Sequence, residues 1–195
     1  MDALLDLQAA ALLTASGNRP LVLLGSSSGG TLAHGVAARL EERGAGPAAV
    51  VLIDTFLSDN AGITQFNDVL IGGMFTREER AAPLDDTRLT AMGRYFRLLD
   101  TWTPPAVRAP ILLVRAREPL GEPVPGAGEW RAVWPGAHTV TEVPGDHFSL
   151  MEEHVDTTAR AISDWLVRLP AATAPSPGPT PVPASQHPRQ PRRGA

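Results

Sequence analysis

Eleven residues constrain this chain more than any others: Leu21-Val22-Leu23-Leu24-Gly25-Ser26-Ser27-Ser28-Gly29-Gly30-Thr31. Four apolar residues run straight into a cluster of small ones, and a helical pattern follows. Pro20 stands just before the run, where a missing ladder donor does least harm. The run predicts a short, buried parallel strand, and the small residues predict a sharp turn into a helix. Gly25-x-Ser27-x-Gly29 has the G-x-S-x-G spacing of a nucleophile elbow. A serine held between strand and helix must adopt a strained backbone conformation. Side chains on either flank are expected to clash, which is the role expected of Gly25 and Gly29. The helix start would aim backbone N–H groups at a developing oxyanion, with the N–H of Ser28 as one donor. The motif centre assigns the nucleophile to Ser27, leaving Ser26 and Ser28 at the variable positions. A Gly/Ser-rich loop without chemistry is the competing reading, and the strand before and helix after the motif count against it.

The surrounding pattern alternates strand and helix. Residues 2–16 read as a helix, with Leu4 and Leu5 repeated seven residues later as Ala11 and Leu12, closed by Gly17-Asn18. Residues 31–43 read as the next helix, with Leu32, Val36 and Leu40 on one stripe. Ala49-Val50-Val51-Leu52-Ile53 is a second apolar run, of the kind a parallel sheet covered on both faces produces. Further strands are predicted at 111–114 and at 138–143. Ser149-Leu150-Met151-Glu152 has the capping-box pattern. It is expected to start a last helix with Val155, Ala159, Ile162, Leu166 and Leu169 toward the core. Strand–helix–strand at this spacing gives an α/β fold with about four parallel strands and helices on both faces.

Residues 55–103 break the alternation. Ile63, Phe66, Val69 and Leu70 suggest a short helix broken by Gly72-Gly73. Leu89, Met92, Tyr95, Phe96 and Leu99 suggest a second, amphipathic helix entered at Asp85-Asp86-Thr87. A helical insertion here is expected to form a lid. From Ala171 onward the chain is rich in Pro, Ser and Ala, with seven prolines in 25 residues. Such a segment buries too little apolar surface to offset ordering entropy, so residues 171–195 are expected to be a disordered tail beyond a domain spanning 1–170.

Composition narrows the classes. There are 0 cysteines, which rules out a disulfide framework or thiolate metal site. All 17 basic residues are arginine, and three lie in the tail, leaving 14 against 21 acidic residues in the body. An acidic body argues against nucleic acid as a partner. No run approaches the roughly 18 apolar residues of a membrane span. Met1-Asp2 opens without a basic leader region, so a cytoplasmic protein is expected. Neither a bound cofactor nor a metal is expected.

A serine nucleophile needs a base and an orienting acid, in the chain order Ser…Asp/Glu…His for this type of fold. Of five histidines, His34 lies on the helix after the elbow, His138 begins a strand, His154 lies on the last helix and His187 lies in the tail. Only His147 occupies a loop directly after a strand, at the sheet edge where sites collect. Asp54 follows strand 49–53 and Glu118 follows strand 111–114. Both lie at the correct edge, and pattern alone leaves the choice open. Asp146 is too close to His147 in sequence to orient its ring and is expected to cap the loop.

The segments LVLLGSSSGGTLAHGVAARLEERG, VVLIDTF, DDTRLTAMGRYFRLLDTW, REPLG and VPGDHFSLMEEH together resemble the C-terminal thioesterase domain of modular type I polyketide synthases, an α/β-hydrolase fold. The resemblance covers about residues 2–168. It implies Asp54 as the acid, since in that family the acid follows the strand after the nucleophile helix. It implies Ser27, Asp54 and His147 as a catalytic triad. The implied substrate is a polyketide acyl chain delivered as a phosphopantetheine thioester on an acyl carrier protein. The acyl-serine would then be released by macrolactonisation or hydrolysis. Ser26 departs from the family, which usually has histidine there.

The resemblance also implies a larger sheet, of about eight strands. The four predicted here correspond to its C-terminal half. The expectation is a chain lacking the N-terminal strands, the loop carrying the second oxyanion donor, and the family's dimer helices. Strand 21–24 would then be a bare apolar edge. Two other readings are a stand-alone editing thioesterase or esterase using Glu118, and a catalytically impaired remnant that folds poorly or binds a synthase partner.

Overall fold

The computed structural model describes residues 1–170 apart from 18, 59, 82 and 84. The elements run α1 (Asp2–Ser16), β1 (Val22–Ser26), α2 (Ser28–Glu42), β2 (Ala49–Ile53), α3 (Ala61–Thr64), α4 (Asn67–Ala81), α5 (Asp86–Leu99), β3 (Ile111–Ala116), β4 (Thr139–Val143) and α6 (Val155–Arg168), with a 3₁₀ turn at Ser149–Met151. The strands form one parallel sheet in the order β1-β2-β3-β4. Each expected strand is present, β1 and β3 extending two residues further than the apolar runs. The expected tail lies outside the described residues, as does Asn18 at the end of α1.

The near-continuous apolar strands follow from burial on both faces. Val50, Leu52, Ile111 and Leu113 point one way, onto Leu5 and Ala9 of α1 and Val36 and Leu40 of α2. Val51, Ile53, Leu112 and Val114 point the other way, onto Leu150 and onto Ile162 and Trp165 of α6. Each such side chain contributes on the order of 1.5–3 kcal/mol. The helix–sheet sandwich thereby fixes the C-terminal strand ends, where the polar loops emerge. Among the described residues no helix is long and apolar enough to cross a membrane.

Two local expectations are overturned and a third is met in part. Gly72-Gly73 does not break a helix: α4 runs through both. A mid-helix glycine costs only about 1 kcal/mol, and Gly73 has a packing reason described below. Ser149 does not cap α6, which begins at Val155. Its hydroxyl is bonded to Asp146 instead. The buried face of α6 is Thr158, Ile162 and Trp165. Of the expected stripe, Ile162 is fully buried there. Leu166 and Leu169 of the stripe are half-buried and pack against the same core as Ile162, whereas Val155 and Ala159 are exposed along an open apolar groove beside Leu24.

That edge is β1. It pairs with β2 on one side only, and Val22 and Leu24 are 43% and 51% exposed. In the insertion, the Asp85 carboxylate accepts the Arg88 N–H at 2.8 Å and caps α5 as expected. No residue of α5 is buried. Val69, Ile71 and Phe75 of α4 are exposed as well, so these helices stand outside the two cores.

Candidate active site

At the end of β1 the chain turns on Ser27, with φ 54° and ψ −132°, and α2 begins at the next residue. A left-handed φ on serine costs on the order of 1–3 kcal/mol and persists only where the surroundings impose it. They do so here. The Ser27 N–H donates to the Ile53 carbonyl at 2.8 Å, and the Gly30 N–H donates to the Ser27 carbonyl at 3.0 Å. A Cβ at Gly25 would overlap the Gly29 carbonyl, so this glycine is required. Gly29 departs from the expectation, because a Cβ there would meet nothing within 4 Å. The second tight position is Gly30, where a Cβ would overlap the Thr55 side chain.

β2 ends one residue before Asp54, which also has positive φ, 42°, a conformation aspartate tolerates better than most residues. Its N–H donates to the Val114 carbonyl at 2.7 Å. The residue is 2% exposed, and its carboxylate faces two donors. The Ala116 N–H reaches Oδ1 at 3.0 Å, and His147 Nδ1 lies 2.8 Å from Oδ2. A carboxylate only accepts, so the imidazole carries its proton on Nδ1. Nε2 is then the acceptor, and the Ser27 hydroxyl lies 3.0 Å from it. Residues 27, 54 and 147 are thus brought into one hydrogen-bonded relay.

His147 comes from the loop after β4 and is 7% exposed. The Asp146 carboxylate accepts the N–H groups of Phe148 and Ser149, both at 3.0 Å, as the loop-cap expectation required. Phe56 and Phe148 flank the ring, with centroids at 6.0 and 5.3 Å. Glu118 is exposed, and its N–H donates to the Gly145 carbonyl. It does not share the His147 ring, which faces Asp54. Ser28 is the first residue of α2, at the helix N-terminus.

The other described histidines are elsewhere. His34 is buried, with Nε2 2.8 Å from the Pro105 carbonyl, and its Nδ1 accepts the Trp134 indole N–H at 3.3 Å. Burial pushes its pKa below 6.5. His138 bonds the Gly136 carbonyl ahead of β4. His154 lies against Gly145. Residues that pattern reading misses include Thr55, Phe56 and Phe148, which pack the relay. Tyr95 of α5 is another: its hydroxyl faces the Ser28 side chain, and desolvation raises its pKa. None carries a local motif.

A parallel sheet with serine on its strand–turn–helix elbow, and acid and histidine on later strand ends, is the arrangement of the α/β-hydrolase fold class. The particular family follows from comparison. The thioesterase domain family model matches residues 1–166, and the chain belongs to that family. The chain is 50% identical over 163 residues to polyketide synthase GfsE of Streptomyces halstedii, covering 83% of this chain and 4% of that protein. It is 40% identical over 167 residues to erythronolide synthase EryA3 of Saccharopolyspora erythraea, covering 85% of this chain and 5% of that one. The chain therefore spans only a small fraction of the curated relatives it matches. Among solved structures, the NocB thioesterase domain from the nocardicin cluster superposes with TM-score 0.61 at 23% identity, over 84% of this chain and 72% of that one. The surfactin thioesterase domain SrfTE gives TM-score 0.58 at 22% identity, over 83% and 74%. At these identities the structures establish the fold.

Proposed function

We propose that this chain releases a polyketide acyl group from the phosphopantetheine arm of an acyl carrier protein, through an ester on Ser27. The observation that carries the proposal is the relay from Ser27 through His147 to Asp54, at 3.0 and 2.8 Å. Ser27 Oγ attacks the thioester carbonyl and His147 Nε2 takes its proton. The C–S bond breaks, and the thiol leaves with that proton. In the second half, His147 takes a proton from an attacking hydroxyl. The acyl–Ser27 bond breaks and Ser27 regains the proton. Asp54 holds the tautomer and balances the imidazolium. The Ser28 N–H is one donor to the oxyanion of both tetrahedral intermediates. The family membership and the synthase relatives support the thioester substrate.

Helices α4 and α5 supply the lid of this reading. Their exposed apolar residues, among them Val69, Phe75, Leu89 and Phe96, suit a long, reduced acyl chain. An apolar chamber that limits water favours attack by the chain's own hydroxyl, giving a macrolactone over a free acid. Glu118 as the acid gains no support from its exposed position.

The test is labelling with a serine-reactive fluorophosphonate, followed by mapping of the adduct. Modification of Ser27, abolished in Ser27→Ala, is the expected result. An adduct on another residue, or none on a folded chain, overturns the proposal. Incubation with a hydroxyacyl N-acetylcysteamine thioester, read for lactone against acid, then decides the acceptor.

A further inference from the structure

We propose that Arg77 is a positioning residue for His147, holding it through Phe148 and anchored by Glu152. The proposal rests on the reading of His147 as the base. Arg77 lies on α4, in the insertion, 70 residues from the histidine in sequence. Its guanidinium makes a two-pronged contact with one carboxylate: Nε donates to Glu152 Oε1 at 2.6 Å and Nη2 donates to Oε2 at 2.7 Å. Nη1 donates to the Gly73 carbonyl one turn back, at 3.1 Å. The Arg77 Cζ lies over the Phe148 ring, 3.8 Å from its centroid. Phe148 in turn meets the His147 imidazole edge-on, at 5.3 Å and 72°.

These contacts leave the guanidinium little freedom. A fork–fork ion pair fixes its plane, and the aromatic face below fixes its height. Gly73 completes the seat. A Cβ there would overlap the Phe148 ring, so glycine allows α4 to approach it closely. Gly73 and Arg77 are four residues apart and share one helix face. They grip Phe148 from that face, while Asp146 holds the backbone of the same loop from beneath.

Stability alone is a poor account of the arrangement. The side chains of Arg77 and Glu152 are 34% and 37% exposed, and ion pairs at such exposure add little to folding. Their effect lies in geometry. Asp54 fixes one end of the imidazole, and Phe148 fixes its flank. Loss of the cation frees Phe148 to rotate, and the imidazole then loses its alignment on Ser27. Lysine cannot substitute, since a point charge offers neither the fork nor the flat face.

A double-mutant cycle on the full chain tests this, with Arg77→Gln, Glu152→Gln and the pair. Each single change is expected to lower the rate of fluorophosphonate labelling of Ser27 on the order of 10-fold. The double variant is expected to fall no further, because both act through one contact. With an acyl N-acetylcysteamine thioester the loss appears in kcat with KM unchanged, and Arg77→Lys does not restore it. Hydrogen exchange across 145–152 rises in Arg77→Gln together with exchange across 67–81. Labelling at the wild-type rate, effects that multiply in the double variant, or unchanged exchange across 145–152 overturns the proposal. Should the folded wild type fail to label at Ser27, the acyl-transfer reading falls. The exchange comparison then decides by itself whether Arg77 holds the His147 loop.

Discussion

The Asp54 carboxylate accepts the Ala116 N–H at 3.0 Å while its other oxygen faces His147. β2 and β3 are adjacent, so the end of β3 orients the residue that follows β2. Asp54→Asn cannot satisfy both neighbours. With its amide oxygen toward Ala116, its NH₂ meets Nδ1 and forces the other imidazole tautomer, which puts a proton where Ser27 must deliver one. The expected loss in Ser27 labelling is about 10⁴-fold, the scale seen when a triad acid becomes an amide. Glu118→Gln is expected to label at the wild-type rate. The two variants are compared by labelling time courses at pH 7.5 on chains with matched melting curves.

The two glycines of the elbow motif separate in the structure, and so should their variants. Gly25→Ala drives a methyl group into the Gly29 carbonyl and is expected to cost about 1–3 kcal/mol, the range for overpacking. Gly29→Ala meets open space in the first turn of α2. It is expected to be neutral or to stabilise by roughly 0.5–1 kcal/mol, through reduced freedom of the unfolded chain. Urea midpoints of the two variants check the contrast. Equal losses would show that motif position outweighs local space.

The four strands, and Ser27 and His147 of the relay, are legible in the sequence because each joins a local signal to a local consequence. An apolar run ends, a polar residue follows, and a parallel sheet places all such ends on one edge. Choosing between Asp54 and Glu118 is not legible in this way. Both follow apolar runs, and only the order of strands in space decides which reaches His147. The Ser149–Glu152 pattern fails for a similar reason. It has capping-box spacing, but Ser149 is engaged by Asp146 and Glu152 by Arg77, 75 residues away. Gly73 reads as a helix breaker because nothing local announces Phe148. On α6 the apolar period finds Ile162, Leu166 and Leu169 on the core side, but it gives no sign of Thr158, which is buried with its hydroxyl on the Leu150 carbonyl at 2.9 Å.

His34 predicts a pH dependence of stability. The ring is held neutral, since Nε2–H donates to the Pro105 carbonyl and Nδ1 accepts from Trp134. Burial is the largest cause of its lowered pKa. The unfolded chain takes up a proton near the ordinary value of 6.5, and the folded ring resists it. The contribution of His34 is therefore complete above pH 6.5. It is lost as pH falls below that value toward the ring's lowered folded pKa. In His34→Gln the urea midpoint is expected to be lower at pH 7.5 but to fall less between pH 7 and pH 5. Parallel profiles for the two proteins would remove the histidine from the account.

β1 predicts a solution behaviour. It is the outer strand of a parallel sheet, and Val22 and Leu24 are 43% and 51% exposed on it. Leu24 also borders the apolar groove along α6, so edge and groove form one continuous apolar surface. An exposed, apolar strand edge offers a template for pairing with another chain. Charge on such an edge discourages pairing, because a lysine between two adjoining strands would be stripped of water. Leu24→Lys is therefore expected to reduce self-association at micromolar concentration. It should leave Ser27 labelling intact, since residue 24 is separated from the elbow serine by Gly25 and Ser26. The stability change is expected to stay within about 1 kcal/mol, as the side chain is already half in water. Light scattering against concentration, with the urea midpoint measured alongside, checks this. Scattering that is unchanged in a folded Leu24→Lys chain would place the sticky surface elsewhere, on the exposed apolar residues of α4 and α5.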